Sequence, residues 1–300
     1  MIIFESSKGT INQFELALHS LFGNPFYVCL NNFQQYLNKN KTLLFYSKQN
    51  QFTMKKYIIL ITIAILIAIG CKNQKISLPA IENIESNSKG VGPEFDIQFQ
   101  RGQYHNHPTF AFWLEDLEGN YIETLFVTQY LAEGVYGHGS LGEGKWDNKS
   151  GEAKRPATLP YWLHKRGIKA DGKTYLPTKD RPVADALTGA TPQNDFHLTT
   201  RATGPLPQKF RLMMEINQPW DWNEYWNNNK FPDDADYKSS CQPALVYAVD
   251  IDLSDIDKDY FLNPIGHSHY SGKDGELYTD LTTITTAKEI AHRIKVHVVK

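Results

Sequence analysis

The stretch Thr109-Phe110-Ala111-Phe112-Trp113-Leu114, then Asp116-Leu117-Glu118-Gly119-Asn120, then Tyr121-Ile122-Glu123-Thr124-Leu125-Phe126-Val127 decides the fold. Two runs of aromatic and β-branched residues flank a turn built from Asp, Gly and Asn, which predicts a β-hairpin. Upstream, Phe95-Asp96-Ile97-Gln98-Phe99-Gln100 alternates apolar and polar, as a strand with one buried face does. Further strands are expected at 210–216, 244–251 and 294–299, each apolar and bounded by turn residues. Several strands with few helical runs predict a mainly β protein, an antiparallel immunoglobulin-like β-sandwich. One long stretch, from Leu141 to about Thr191, carries Gly, Lys, Pro and Asp without a strand period. It reads as an insertion, and residues 157–167 within it read as a short helix ending in Lys165, Arg166 and a Gly167 cap.

The N-terminal part has a different character. Met54-Lys55-Lys56-Tyr57, an apolar run over 58–70 and then Cys71 form the pattern of a bacterial lipoprotein signal. The apolar run is shorter than the about 20 residues a membrane span needs. Ala68-Ile69-Gly70-Cys71 resembles the lipobox, which implies that Cys71 carries the lipid and faces a membrane in the cell envelope, on the periplasmic side. Residues 54–70 are then the signal peptide, and 71–91, rich in Lys, Asn, Ser and Gly, a lipid-anchored tether. Residues 1–53 read as an upstream extension with Met54 as the true start, and 92–300 as the β-sandwich domain. Past Cys71 the only cysteine is Cys241, so no disulfide and no paired-cysteine redox or zinc module is expected there. With 33 acidic against 31 basic residues the chain has no basic field, which excludes nucleic acid as an expected partner.

Near the end of the insertion lies Asp185-Ala186-Leu187-Thr188-Gly189-Ala190-Thr191-Pro192. Small residues at 188–190 leave room around the Thr191 hydroxyl, Gly189 permits a turn, and Asp185 can fix that turn through backbone amides. Read plainly, this is an Asx-turn leading into a strand. The run also resembles the flavin-attachment motif of the FMN-carrying subunits of the sodium-pumping NADH:quinone oxidoreductase and the Rnf complex. In those subunits a flavin transferase joins FMN through its phosphate to the last threonine of D-x-x-[ST]-G-A-T. The resemblance implies covalent FMN at Thr191, with Asp185, Thr188, Gly189 and Ala190 shaping the acceptor. Ala186 departs from the Gly often found at that position. Trp162 is a candidate to stack on the isoalloxazine ring, and Lys165 or Arg166 to pair with a phosphate; ordinary packing of a short helix is the alternative for Trp162.

The mature chain as a whole resembles an uncharacterised family of predicted periplasmic proteins, a domain-of-unknown-function group encoded beside flavin transferases and PepSY membrane proteins. The carrying runs are residues 112–119, 155–162, 185–192, 243–250 and 266–275. The implied function is a lipid-anchored electron carrier within a membrane redox system, with a flavin transferase and a membrane redox protein as partners. A stand-alone enzyme is not expected: there is no G-x-S-x-G elbow, P-loop or dinucleotide fingerprint. The alternative is a cofactor-free lipoprotein module binding sugar or metal. Two H-x-H pairs, His105 with His107 and His267 with His269, have the spacing to chelate one metal between them, and polar loop positions are their plainer reading. The run Pro219-Trp220-Asp221-Trp222-Asn223-Glu224-Tyr225-Trp226 resembles a sugar-stacking loop, against which stands a loop whose rings cover the edge of the core.

Overall fold

A computed structural model describes residues 81–299 except 143–144, 171 and 184–187. The signal peptide, Cys71 and the extension 1–53 lie outside the described residues, as does Asp185. Two sheets form the body. The first runs β1 (Glu82–Ser86), β10 (Phe196–Arg201), β2 (Glu94–Arg101), β15 (Ala291–Val299), β13 (Tyr260–Phe261). The second runs β14 (Asn263–His267), β12 (Leu245–Asp252), β11 (Lys209–Asn217), β3 (Thr109–Glu115), β4 (Tyr121–Thr128), β9 (Thr188–Gly189). The fold is mainly β, as the strand pattern predicts.

The alternation in β2 buries Phe95, Ile97 and Phe99 on one side. These meet Phe110, Phe112 and Leu114 of β3 and the even-numbered residues Phe210 to Ile216 of β11, which brings the two sheets face to face over one core. Phe99, Phe196 and Phe110 stack in sequence, with ring centroids 4.7 and 5.4 Å apart. The central strand pairings are antiparallel.

Two expectations need correction. The sandwich is not wholly antiparallel, because β1 pairs with β10 and β9 pairs with β4 in parallel. In addition, the tether does not extend to residue 91. Residues 82–86 form β1, and the Asn87 side-chain amide donates to the Arg201 carbonyl at 2.7 Å. Gly92 then passes so close to the chain that a Cβ there would lie 2.1 Å from the Gly204 carbonyl oxygen, which only glycine allows.

The insertion, together with residues 129–140 that precede its expected start at Leu141, makes a third layer on the outer face of the second sheet. Helix α1 (Gln129–Glu133) follows β4 directly, and short strands β5 (Val135–Tyr136), β6 (Ser140–Gly142), β7 (Lys145–Trp146) and β8 (Gly151–Glu152) form two small ribbons. Helix α2 (Pro160–Arg166) follows, with Pro160 in its first turn and Gly167 as a left-handed cap at φ 72°. Leu131, Leu159, Trp162, Leu163 and Val183 of this layer pack on Ala111, Trp113, Val127, Met213 and Val246 of the sheet. All seven residues of β3 are therefore buried, since both of its faces are covered.

Candidate functional site

Thr188 and Gly189 form β9, paired with Val127 and Thr128 at the end of β4. A two-residue strand at a sheet edge leaves its outer side unpaired among the described residues. Thr188 and Ala190 are exposed, and Gly189 lies against the Phe126 ring, where an added Cβ would stand 3.1 Å from ring carbon. Glycine at 189 thus serves a close approach to an aromatic. Thr191 differs from the expectation of an open hydroxyl: the residue is buried, 8% exposed. Its carbonyl accepts from the Gln193 amide at 2.9 Å. Beyond it, the Pro192 carbonyl meets His105 Nε2 at 3.1 Å, and Glu82 accepts from the backbone N–H groups of Gln193 and Asn194. Four hydrogen bonds thus hold residues 191–194, while Thr188 and Gly189 lie at a sheet edge.

Trp162 is fully buried, and its indole N–H donates to Thr124 Oγ1 at 2.9 Å. No ring face is left for an isoalloxazine, which corrects its expected stacking role; packing of α2 onto the sheet is its task. Arg166 is half-buried with its guanidinium 5.9 Å over the Trp162 ring. Lys165 reaches the Gly119 carbonyl at 2.8 Å and the buried Glu115 at 3.9 Å.

A hollow of about 570 Å³ opens in the insertion layer, lined by Gly134, Trp146, Lys154, Leu176 and Asp180 among others. It lies within the size range of small-molecule sites. Gly134 caps α1, and the residue before α1, Thr128, is paired to Gly189. The hollow and the motif therefore flank the two ends of a five-residue helix, about 8 Å long at 1.5 Å per residue. Beside the hollow, the Arg155 guanidinium lies over the rings of Tyr136 and Trp146, at 4.3 and 5.0 Å. Its Nε is buried without a hydrogen-bond partner among the described residues. Burial lowers the pKa of Arg155 and raises the Tyr136 hydroxyl to about 12. Trp146 and Lys154 carry no motif, so spacing alone gave no signal for them.

Glu215 on β11 is a buried acid. Its two carboxyl oxygens accept from the backbone N–H groups of Tyr161 at 3.2 Å and Trp162 at 2.8 Å, the first turn of α2. Leu159 at the N-cap has no side chain to do this, so a strand residue 53 positions along the chain caps the helix. Burial pushes its carboxyl up to about 8 against the pull of those donors. Glu115 is likewise raised by burial, and accepts from the Trp113 indole N–H at 2.8 Å.

The histidine pairs do not converge. His105 is tied to Pro192, His107 to Asn106, His267 to the Ser268 carbonyl, and His269 to Ser271. Among the described residues, no three His, Cys, Asp or Glu side chains gather as a metal site. The aromatic run divides. Trp226 is buried against Tyr237, His267 and Tyr270, whereas Trp220, Trp222 and Tyr225 are 55, 49 and 45% exposed.

Comparison with protein-family models, with curated proteins and with solved structures found no match.

Proposed function

We propose that this chain is a lipid-anchored, envelope-facing electron carrier with FMN joined through its phosphate to Thr191. What supports the reading is the D-x-x-T-G-A-T sequence, whose Thr188 and Gly189 form an edge strand one short helix away from a cofactor-sized hollow. The residues beside that hollow suit a flavin. Trp146 offers a ring, Lys154 a cation, and Arg155 a buried N–H without a partner. Trp146 thus takes the place that Trp162 has in the sequence-based expectation.

In the attachment step a flavin transferase joins the Thr191 oxygen to the FMN phosphorus of FAD. The pyrophosphate bond breaks, AMP leaves, and the hydroxyl proton passes to the enzyme's base. Buried Thr191 must become accessible for this. That takes release of the two-residue β9 pairing and of the contacts of Gln193, His105 and Glu82 around residues 191–194, a local opening that costs less than global unfolding. Bound FMN supplies the redox chemistry; the chain orients it and sets its electrostatic surroundings.

The test is co-expression with a flavin transferase, then in-gel fluorescence after denaturation and mass mapping of the peptide containing 185–191. Wild type should gain one FMN phosphoryl adduct, Thr191→Ala none, and Thr191→Ser a part of it. Asp185→Ala should lower the yield with the fold intact, since one local turn bond is worth about 1 kcal/mol. Wild type without the adduct under these conditions ends the proposal.

A further inference from the structure

Three large rings left half in water within six residues call for a reason. Trp220, Trp222 and Tyr225 stand on the turn joining β11 to the Asn227–Tyr237 region, in a loop that contains no Val, Leu, Ile or Met. The loop is not loose. Asp221 forms a parallel bridge to Cys241, and its carbonyl accepts from the Gln242 backbone N–H at 3.2 Å and side-chain amide at 3.1 Å. Asn223 is the hub: its amide nitrogen donates to the Thr283 carbonyl and Thr285 Oγ1, and its oxygen accepts from the backbone N–H groups of Tyr225 and Trp226. Buried Trp226 anchors the far end through its indole N–H on Thr283 Oγ1.

The backbone adds a second observation. Trp220 sits at φ 61° and Cys241, across the bridge, at φ 72°. A bulky residue in the left-handed region is strained by roughly 1–3 kcal/mol and persists only where its surroundings impose it. Glycine would relieve that strain, yet the position holds the largest side chain.

We propose that Trp220, Trp222 and Tyr225 form a preorganised stacking platform for a neutral glycan, whose pyranose rings lie on the aromatic faces. The surroundings favour that occupant over two others. Exposed Glu224, Asp233 and Asp236 on this loop and the segment after it outnumber Lys230 and Lys238 and disfavour an anionic lipid surface, and Lys230 is engaged over the Trp226 ring at 4.0 Å. Asp221, Asn223 and exposed Glu224 alternate with the rings, and exposed Asn227–Asn229 follow them, a polar setting unlike the apolar centre of a protein interface. A pyranose presents C–H groups to a ring and hydroxyls to amides and carboxylates, which matches both parts of the loop. Rigid support lowers the ordering cost of binding. The proposal does not depend on FMN at Thr191.

The test uses the full-length chain in native affinity gels cast with soluble β-glucan, xylan, galactomannan or dextran, and against zwitterionic and anionic vesicles. Retardation is expected in at least one glycan gel, with Trp222→Ala weakening it about five- to ten-fold, the worth of one aromatic contact. Trp220→Gly, which relaxes the backbone and keeps the fold, should weaken it similarly, and Thr191→Ala should leave it unchanged. No retardation in any of the four gels overturns the proposal. So does retardation that survives both tryptophan variants, or vesicle binding that these variants abolish without any glycan effect.

Discussion

The cap that Glu215 places on α2 makes a quantitative prediction. The carboxyl ionises at about 8 in the folded protein against an ordinary 4.5. Below pH 4.5 it is protonated in both states, and its contribution to stability is fully present. Between 4.5 and about 8 the unfolded chain ionises while the folded chain holds its proton, so stability falls as pH rises, and above 8 the loss is complete. Each unit of pH in that window costs at most about 1.4 kcal/mol, or about 3 kcal/mol from pH 5.5 to 7.5. Relaxation and water entry around the buried charge reduce this figure, so it is an upper bound. Glu215→Gln keeps the shape and cannot ionise, so the difference between wild type and variant isolates the group from every other titration. The assay is thermal melting by far-ultraviolet circular dichroism at half-unit steps from pH 5 to 8. At about 2–4 °C per kcal/mol for a domain of this size, the wild-type advantage should shrink by up to about 10 °C across the range. A constant difference over that range would mean that the amides of α2 hold the carboxylate ionised throughout, and the argument from burial would fail.

Other perturbations test the layers around it. Trp162→Ala should cost about 3–5 kcal/mol, as large buried aromatics do, and equilibrium denaturation in urea would measure it. Gly92→Ala should destabilise by about 1–3 kcal/mol and raise hydrogen exchange in β1, because the added methyl collides with the Gly204 carbonyl. If Cys71 carries lipid, Cys71→Ala should abolish palmitate labelling and membrane partitioning; unchanged labelling would remove the anchor from the reading. Cys241 is buried, and burial pushes its thiol up to about 12, so thiol reagents should leave it unmodified until the protein is denatured.

The fold was legible where one physical signal dominated. Strict alternation marked β2, and the Asp-Gly-Asn turn marked the β3–β4 hairpin. The helix expected over 157–167 occupies Pro160–Arg166, with its Gly167 cap in place. β1 was missed because Glu82-Asn83-Ile84-Glu85-Ser86 has almost no apolar face; its neighbour β10 and the Glu82 contacts hold it instead. Glu215 was missed for a different reason. In Phe210-Arg211-Leu212-Met213-Met214-Glu215-Ile216 a charge at alternate positions signals a solvent-facing side, and nothing local announces that a distant insertion covers it. The same cover hides Trp162, whose helix reads as a surface element until its partners on β3 and β4 are known. The aromatic run needed coordinates too, since spacing alone did not divide buried Trp226 from the three rings in water.

The double burial of β3 carries a consequence for how this chain can vary. A strand with one wet face, such as β2, offers every second position to neutral drift. In Thr109–Glu115 no position is of that kind, because odd and even residues face different cores. A library covering this segment should therefore tolerate only volume-conserving exchanges at all seven positions. Insertion of one residue would transpose both cores at once, so the length of this strand is under stronger constraint than any single side chain in it.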